Sequence, residues 1–490
     1  MKKNIFNFSN TYSKLPKNFY EKIKPNPVKN PQLIEFNNKL SKFLNIDPNM
    51  INDKNGSLYF SGNLLPRGSN PIAMAYAGHQ FGNYVPQLGD GRAILIGELI
   101  ASNGKRFDIQ LKGSGRTSFS RQGDGRSPLG PVIREYILSE SLHHLGLKST
   151  RSLAIVGTGE EVLRERLMPG GILTRIASSH IRIGTFEFFF YKNDFHSLKK
   201  LADYTINRHL KKKSKNPYKL LLRTVIKLQA ELISKWMSIG FIHGVMNTDN
   251  TSICGETIDY GPCAFMDNYI PNKVFSSIDY GGRYSYVNQG KIMLWNLSKF
   301  AESLIPLLNE KFEKSKIIAL DCLKLFPNFF EENWLDVMRK KIGLKKKLKE
   351  DISIINDFFE LLKDENLDFT NTFRMLTNYL EKKNSKVFIK NLKNKAKFSD
   401  WFLRWENRIK KENVKIEKII SDMKKTNPIY IPRNHIVEQV INSAVNNNNF
   451  KPMRELLEVV RKPFTEIASQ QKYSLPPKPS EVVANTFCGT

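Results

Sequence analysis

A short polar loop near the middle of the chain carries residue types that metal-dependent phosphoryl transfer requires. Residues 243–250 read His-Gly-Val-Met-Asn-Thr-Asp-Asn, and Asp259-Tyr260-Gly261 follows shortly after. Enzymes of the protein-kinase type hold Mg²⁺ with an Asn that closes such a loop and with the Asp of a D-F-G turn, and their loop has the same His-to-Asn spacing. Asn250 and Asp259 are therefore the candidate metal ligands.

The third position of this loop departs from the kinase pattern. In protein kinases it is the Asp that accepts the proton of the substrate hydroxyl, whereas here it is Val245, which cannot accept a proton. Asp249, beside Asn250, is the only carboxylate in the loop. The loop predicts a metal site with an unusual proton acceptor. The alternative is a polar turn that matches by chance, because short motifs carry a real false-positive risk.

A lysine and a glutamate upstream argue against a chance match. Lys112 ends an apolar run that is predicted as a strand, and Glu135 lies on the helix predicted after it. In kinase-like folds a strand Lys contacts the phosphates and is held by a Glu of the following helix. A lone Lys at a strand end is usually solvent-exposed, but Lys, Glu, Asn and Asp in this order favour a nucleotide site.

Glycine-rich turns flank the predicted lysine strand. Gly89-Asp90-Gly91-Arg92 precedes it, and residues 113–125 follow it, ending in Asp124 and Gly125. Glycines let backbone N–H groups approach phosphate oxygens, and an Arg adds a bidentate donor. Arg175 and Arg182 lie where the strand-rich region passes into a helical one. Each is either a surface cation or a residue that faces the same cleft.

Hydrophobic periodicity predicts the elements that position these residues. A hairpin is predicted around Asn103-Gly104, a strong turn signal, with strands at 92–100 and 107–112. Further strands are predicted at 152–156, 171–177 and 186–191. Helices are predicted at 31–44, 132–144 and 217–239. Residues 290–470 are expected to be largely helical, and the Pro-rich end irregular.

Composition limits the class of protein. The chain has 490 residues, of which 40% are hydrophobic and 25% charged, values typical of a soluble globular protein. No apolar run reaches the ~18 residues of a membrane span, and the N-terminus lacks the pattern of a signal or transit peptide. A cytoplasmic location without a membrane partner is therefore expected.

Neither the net charge nor the spacing of the cysteines indicates a nucleic-acid-binding protein or a zinc protein. A net charge of +29 admits nucleic acid as a partner, but no nucleic-acid-binding signature accompanies the lysine clusters, so a Lys-rich surface is favoured. Cys254, Cys263, Cys322 and Cys488 show no C-x-x-C spacing, which argues against a zinc site.

The chain resembles a known family, the selenoprotein O (SelO) pseudokinases, which are protein adenylyltransferases. The resemblance is carried by the following segments: 87–92 (Gln-Leu-Gly-Asp-Gly-Arg), 110–115 (Gln-Leu-Lys-Gly-Ser-Gly), 124–127 (Asp-Gly-Arg-Ser), 243–250 and 259–262 (Asp-Tyr-Gly-Pro). It implies an α+β, protein-kinase-like bilobal fold with a small β-rich N-lobe and a larger, mainly helical C-lobe. The implied organisation is an N-terminal extension packing on the lobes (1–65), the N-lobe (66–182), the C-lobe (183–470) and an irregular tail (471–490).

The resemblance also implies an activity, namely transfer of AMP from ATP, bound in a flipped orientation relative to kinases, to Ser, Thr or Tyr hydroxyls of proteins. Mg²⁺ or Mn²⁺ is the implied metal, with Asn250 and Asp259 as ligands. Lys112 and Glu135 are the implied ion pair, and Asp249 is the implied proton acceptor. The implied nucleotide-binding positions are Gly89, Gly91, Arg92, Lys112, Asp124, Gly125, Arg175, Arg182 and Asp259.

Other activities and acceptors stay open at this point. The donor can be UTP with Mn²⁺, the chain can be a kinase that transfers the γ-phosphate, or it can be an inactive nucleotide-binding module. The missing loop Asp argues against the kinase, and the intact Lys, Glu, Asn and Asp argue against the inactive module. The chain itself is among the candidate acceptors.

One feature of some relatives is missing. They carry a Cys after the Asp-Tyr-Gly turn that pairs with the C-terminal Cys, but residues 271–276 contain none. Cys488 therefore has no such partner at the aligned position.

Overall fold

An antiparallel sheet lies at the centre of the N-terminal part of the chain. The computed structural model describes residues 5–210, 214–382 and 392–486. Its strands are β1 (Tyr20–Lys22), β2 (Gln32–Phe36), β3 (Ile72–Met74), β4 (Gly78–Gln80), β5 (Asn83–Val85), β6 (Ala93–Ile100), β7 (Arg106–Lys112), β8 (Arg151–Leu163), β9 (Leu167–Ala177), β10 (Phe241–Ile242) and β11 (Ala264–Phe265). Among the described residues, seven of these form one sheet in the order β1-β3-β6-β7-β9-β8-β2. The pairs β4–β5 and β10–β11 are separate hairpins.

The hairpin of β6 and β7 is confirmed, and its register positions three polar side chains. Gly104 in the turn has a φ of +73°, which glycine adopts without a Cβ penalty. In the next pairing, Gln110 of β7 lies opposite Arg175 of β9. Because side chains alternate along a strand, Gln110, Lys112 and Arg175 lie on one face of the sheet.

Helices make up most of the remaining chain. Their bounds are α1 (Asn38–Phe43), α2 (Asp53–Ser61), α3 (Leu129–His144), α4 (Ile183–Phe190), α5 (Phe195–His209), α6 (Pro217–Ser238), α7 (Gln289–Leu308), α8 (Phe312–Leu323), α9 (Leu325–Lys341), α10 (Asp351–Asp364), α11 (Phe369–Lys382), α12 (Lys395–Lys410), α13 (Ile416–Thr426), α14 (Asn434–Asn447) and α15 (Lys451–Val460). This mixture of an antiparallel sheet with separate helices is the α+β class expected from the sequence. The helical character of residues 290–470 is confirmed for the described residues.

Helix α3 covers the polar face of the sheet. Its apolar residues Val132, Ile133, Tyr136 and Ile137 are buried with sheet residues and with α14 and α15. Glu135 lies on the same helix and is buried as well. A carboxylate in such a place costs free energy unless it is paired, so its partners in the site are part of what stabilises this packing.

Helix α6 and the β10–β11 hairpin position the polar loop. Asn216 caps the start of α6 by accepting a hydrogen bond from Lys219 N, and Pro217 occupies the first turn, where a missing N–H costs nothing. The helix is confirmed as an amphipathic core element. Strand β10 follows α6 and pairs with β11. Residues 243–263 therefore form a long loop whose two ends are held together by this strand pair.

Two predicted elements are wrong. The helix expected at 31–44 begins only at Asn38, because residues 32–36 pair with β8 at the edge of the sheet, and the Asn37 side chain caps the helix by accepting from Leu40 N. The strand expected at 186–191 is instead part of α4. That run is buried on several sides, and a short, continuously apolar run does not distinguish a strand from a buried helix.

The described residues also bear on two expectations from the sequence, one about membrane-spanning segments and one about an irregular tail. Within the described ranges, no helix has the length and apolar content that crossing a membrane would need. Short 3₁₀ turns at Ala468–Ser474 and Pro479–Glu481 interrupt the otherwise irregular tail. Cys488 lies outside the described residues.

The buried Lys341 gives a test of the helical packing. Its ammonium lies 4.1 Å from the centre of the Phe373 ring, and burial lowers its pKa to about 7. Because the folded pKa is below the unfolded value, the unfolded chain binds more protons between pH 7 and about 10, so this residue makes stability rise with pH in that window. Denaturant unfolding should show that the stability advantage of Lys341→Met over wild type shrinks by about 2 kcal/mol from pH 7 to pH 9. A pH-independent difference would contradict the burial of a titrating ammonium.

Candidate functional site

A cavity of about 810 Å³ lies between the sheet face, α3, the 243–250 loop and the turn at Asp259. All of the site residues predicted from the sequence line it: Gly89, Gly91, Arg92, Lys112, Asp124, Gly125, Glu135, Arg175, Arg182, Asp249, Asn250 and Asp259. The fold thus brings together side chains from four separate stretches of sequence.

Lys112 joins the sheet to the two flanking carboxylates. Its Nζ lies 2.6 Å from Oε2 of Glu135 and 2.8 Å from Oδ1 of Asp259. All three side chains are largely removed from water, so the charges interact in a medium of low dielectric constant. The predicted contact of Lys112 with Glu135 is therefore observed in the structure.

Two arginines complete the set of cations around Asp259. Arg175 Nη1 lies 2.6 Å from Oδ1 of Asp259, and Arg182 Nη1 lies 3.0 Å from Oδ2. The guanidinium of Arg182 also lies 4.5 Å from the centre of the Tyr76 ring. Burial favours the neutral form of Asp259, but Lys112, Arg175 and Arg182 outweigh it and hold the pKa of this carboxyl well below its usual range. Three cations thus converge at this end of the cavity, with Asp259 and Glu135 as their carboxylate partners.

Asp259 has an unusual backbone conformation. Its φ is +62°, in the left-handed region that most residues avoid and that Asp and Asn tolerate best. The neighbouring loop is tied to this turn, because His243 Nε2 lies 2.9 Å from the carbonyl oxygen of Ile258. His243 therefore fixes the distance between the loop and Asp259.

Gln110 and Asp90 support Arg175 and were not predicted as site residues. The carbonyl Oε1 of Gln110 accepts from Nε and Nη2 of Arg175, at 3.1 and 2.5 Å, and its Nε2 donates to Oδ2 of Asp90 at 2.9 Å. Burial raises the pKa of Asp90 to about 6, although Arg182 opposes the shift. The sequence did carry one signal for Gln110, because it lies two residues before Lys112 and therefore on the same face of the strand.

Asp249 lies at the other end of the cationic cluster. Its Oδ2 accepts from Gln80 Nε2 at 3.3 Å, while the buried Oδ1 has no hydrogen-bond partner among the described residues. Burial raises the pKa of Asp249 to about 7, with Arg182 acting in the opposite direction. Arg182 Nη1 also donates to the Asp249 backbone oxygen at 2.7 Å, so one guanidinium connects Asp249 to Asp259.

The β4–β5 hairpin packs directly against Asp249. A Cβ added to Gly78 would lie 2.6 Å from Oδ1 of Asp249, which explains why a residue without a side chain is needed there. His79 N donates to Thr248 Oγ1 at 2.7 Å, and both side chains meet the buried Glu187. The sequence offered no spacing signal for these supports, because they come from three distant segments.

Asp124 and Gly125 lie in the glycine-rich turn at the cavity wall. Asp124 accepts from both terminal nitrogens of Arg164, at 2.9 and 3.0 Å, so its carboxylate is already paired. Gly125 has a φ of +68°, and a Cβ there would lie 2.1 Å from the carbonyl oxygen of Gly115. Glycine at this position is thus required by the fold of the turn itself.

Asn250 and Asp259 are the oxygen donors that a divalent cation would meet. Asn250 Nδ2 donates to the carbonyl oxygen of Val245 at 3.1 Å, which fixes the orientation of its amide. Within the described ranges, no group of three or more His, Cys, Asp or Glu residues is arranged to hold a metal. Two hard oxygen donors without a third acidic ligand fit Mg²⁺, which commonly binds one or two protein groups and completes its shell with phosphates and water.

The tetrapeptide around Asp259 occurs a second time. Residues 278–281 read Ile-Asp-Tyr-Gly, as residues 258–261 do. The second aspartate, Asp279, accepts hydrogen bonds from Arg283 N and Tyr284 N and does not line the cavity. The two copies therefore differ in their partners and in their position, and the three cations surround Asp259.

Comparisons with known proteins agree over nearly the full chain. A family model described as protein adenylyltransferase SelO matches residues 3–461. The chain is similar to proteins named protein nucleotidyltransferase YdiU from Maridesulfovibrio salexigens (48% identical) and Bradyrhizobium diazoefficiens (49%), with 99% of both chains covered in each case. The protein of that name from Bacillus thuringiensis (strain Al Hakam) is 48% identical over 99% of this chain and 98% of its own.

Proposed function

This chain belongs to the SelO family and is a nucleotidyltransferase, and we propose that it transfers AMP from ATP to Ser, Thr or Tyr hydroxyls of proteins. Pyrophosphate is the second product. The proposal includes the two-lobed, kinase-like arrangement that the family implies, with residues 66–182 as the small lobe and residues 183–470 as the large one. The N-terminal extension (1–65) packs on the lobes, and the tail (471–490) is irregular.

The observation that carries this proposal is the separation of charge along the cavity. Lys112, Arg175 and Arg182 converge on Asp259 at the inner end, and guanidinium forks are well suited to phosphate oxygens. Terminal phosphates held there leave the α-phosphate as the electrophile nearest Asp249. A kinase needs the opposite arrangement, with the γ-phosphate facing the acceptor.

The transfer step then has a defined role for each group. The acceptor oxygen attacks the α-phosphorus, and its proton passes to the carboxylate of Asp249, which lines the cavity. The bond between the α-phosphorus and the oxygen that bridges to the β-phosphate breaks, so pyrophosphate leaves. Lys112, Arg175 and Arg182 stabilise the negative charge that develops on it. Gln80 and Gly78 keep Asp249 in place during the step.

A divalent cation, Mg²⁺ or Mn²⁺, fits the same site. Asn250 and Asp259 would hold it, and when bound it would neutralise phosphate charge and polarise the transferred group. Asp259 then serves two purposes, because it is both the cation's carboxylate and the anchor of the cluster of Lys112, Arg175 and Arg182.

Product analysis tests this function. Incubation with ATP, Mg²⁺ and a heat-inactivated soluble protein extract as acceptor should release pyrophosphate without ADP, in proportion to acceptor modified. UTP is run in parallel, because the name of the relatives specifies nucleotidyl transfer without a base. Formation of ADP would identify a kinase, and the absence of both products would identify a nucleotide-binding module without transfer.

The ion pair of Lys112 and Glu135 gives a graded prediction. Lys112→Ala should lower transfer by about 10²–10³-fold, as is typical when one electrostatic stabiliser of a transition state is removed. Glu135→Gln keeps a hydrogen-bonding group 2.6 Å from the ammonium and should lower it less. Lys105→Ala, at an exposed position of the same hairpin, is the matched control. Retention of more than a tenth of wild-type activity by folded Lys112→Ala would show that Lys112 does not act on the nucleotide.

A further inference from the structure

An apolar rim borders the cavity on the Asp249 side. It consists of Phe81 and Ile278, which line the cavity, and Tyr280 two residues further on. Ile278 is 55% exposed and Tyr280 is 94% exposed. Exposed apolar side chains grouped at the mouth of a site mark interaction surfaces more often than isolated ones do.

The segment that presents Ile278 and Tyr280 is fixed at both ends. Asp279, itself buried, accepts from the backbone N–H groups of Arg283 and Tyr284, at 2.9 and 2.8 Å. On the other side, Thr486 of the tail donates its N–H to Phe275 O at 2.7 Å and accepts from Ser277 N at 3.2 Å. The apolar side chains are therefore held in solvent by a fixed backbone, although nothing in the core requires them there.

Phe81 contributes to the rim from the turn between β4 and β5. It has a φ of +52°, a strained conformation for a bulky residue, and such strain is concentrated at functional sites. Its N–H donates to Oδ1 of Asn247 at 3.1 Å, and its ring centre lies 5.0 Å from that of Tyr284. Tyr284 donates to the same Asn247 oxygen, so hairpin, loop and rim segment are joined two residues from Asp249.

The two ends of the cavity differ in the ligand that they suit. Lys112, Arg175 and Arg182 lie at the inner end, whereas Phe81, Val245 and Ile278 are the apolar side chains that line the cavity with Asp249. Contact with apolar side chains does not stabilise a bound polyphosphate. A polypeptide that brings a hydroxyl to Asp249 has to pass this rim, and it can bury an apolar side chain against it.

We infer that the apolar rim binds the acceptor protein, and that preferred acceptors carry an apolar residue close to the modified Ser, Thr or Tyr. The inference rests on the proposed function and adds a preference in the acceptor sequence that follows from this chain's own surface. Because the backbone of the rim segment is hydrogen-bonded at both ends, binding of an extended or loop segment costs little further ordering of this chain.

The test uses peptides with a single hydroxyl residue in which each neighbouring position is either apolar or polar. Transfer of label from ATP labelled at the α-phosphate is measured with the full chain and with Ile278→Ser combined with Tyr280→Ser. Ile317→Ser is the matched control, because Ile317 is 59% exposed on α8 and does not line the cavity. A soluble protein extract is labelled in parallel as a general acceptor.

Wild type and the Ile317→Ser control should label apolar-flanked peptides at least about tenfold better than polar-flanked ones, the discrimination that a small apolar pocket provides. The double variant should lose most of that ratio. An unchanged ratio in the double variant, no preference in wild type, or label on extract proteins but on no peptide would each overturn the inference. Absence of AMP from peptides and extract alike would instead refute the proposed function.

Discussion

Asp259→Asn is expected to reduce nucleotidyl transfer by about 10³-fold or more. The carboxylate contacts Lys112, Arg175 and Arg182 within 3.0 Å. A neutral amide at this position attracts these cations and a divalent cation much more weakly than a carboxylate does. Asn is the appropriate replacement because it tolerates the φ of +62°. Radiolabel transfer from ATP to acceptor protein measures the effect.

A loss of stability should accompany this change without unfolding the chain. Removing one partner from a buried ion pair typically costs about 3–5 kcal/mol, and circular dichroism separates that cost from misfolding. Asp357→Asn, at a half-exposed surface ion pair with Arg404, is the matched control and should keep full activity. A folded Asp259→Asn protein with activity close to wild type would remove the cationic cluster from the mechanism.

Asp249→Asn is expected to lower transfer by about 10²–10⁴-fold, the usual contribution of a general base. The amide keeps the shape of the side chain that packs on Gly78, but it cannot take up the hydroxyl proton. Binding of ATP should persist, because the cations lie around Asp259 instead. Single-turnover rates with saturating ATP, together with nucleotide affinity from calorimetry, distinguish the two effects.

Asp90→Asn is the matched control for Asp249→Asn, because it separates the loss of a general base from the loss of a buried carboxylate at the cavity wall. Asp90 is also a buried carboxylate at the cavity wall, but its Oδ2 accepts from Met74 N and Gln110 Nε2 and its Oδ1 lies 3.8 Å from Nη2 of Arg182. Its replacement should act through Arg175 and cost less activity than Asp249→Asn. Equal losses, or a larger loss for Asp90→Asn, would contradict the assignment of Asp249.

The sequence predicted which residues meet in the cavity better than it predicted some of the elements around it. Lys112, Glu135 and the 243–250 loop carry type and spacing signals that local chemistry makes specific, and these residues meet in one cavity. The errors at 31–44 and 186–191 have tertiary causes. Edge pairing with β8 recruited residues 32–36, and burial of α4 removed the periodicity that would have identified a helix.

Most of the residues that hold the site residues in place could not be predicted from the sequence, again because tertiary packing decides their contacts. Strand alternation places Gln110 on the same face as Lys112, but its role in holding Arg175 follows only from the register of β7 with β9. Gln80 approaches Asp249 from a hairpin about 170 residues earlier in the chain. The repeated Ile-Asp-Tyr-Gly shows the limit of motifs, because Asp259 and Asp279 have the same neighbours in sequence and different partners in space. Packing, which decides between them, is a property of the whole fold.

Labelling ATP at either the α- or the γ-phosphate tests the central claim most directly. The chain is incubated with each labelled ATP, Mg²⁺ and acceptor protein, and the protein-bound label is compared with that of Asp249→Asn and Asp259→Asn. The three cations at the inner end and the carboxylate of Asp249 predict protein-bound label from α-labelled ATP only, reduced in both variants. Protein-bound label from γ-labelled ATP would show that the terminal phosphate faces the acceptor, and would contradict this account.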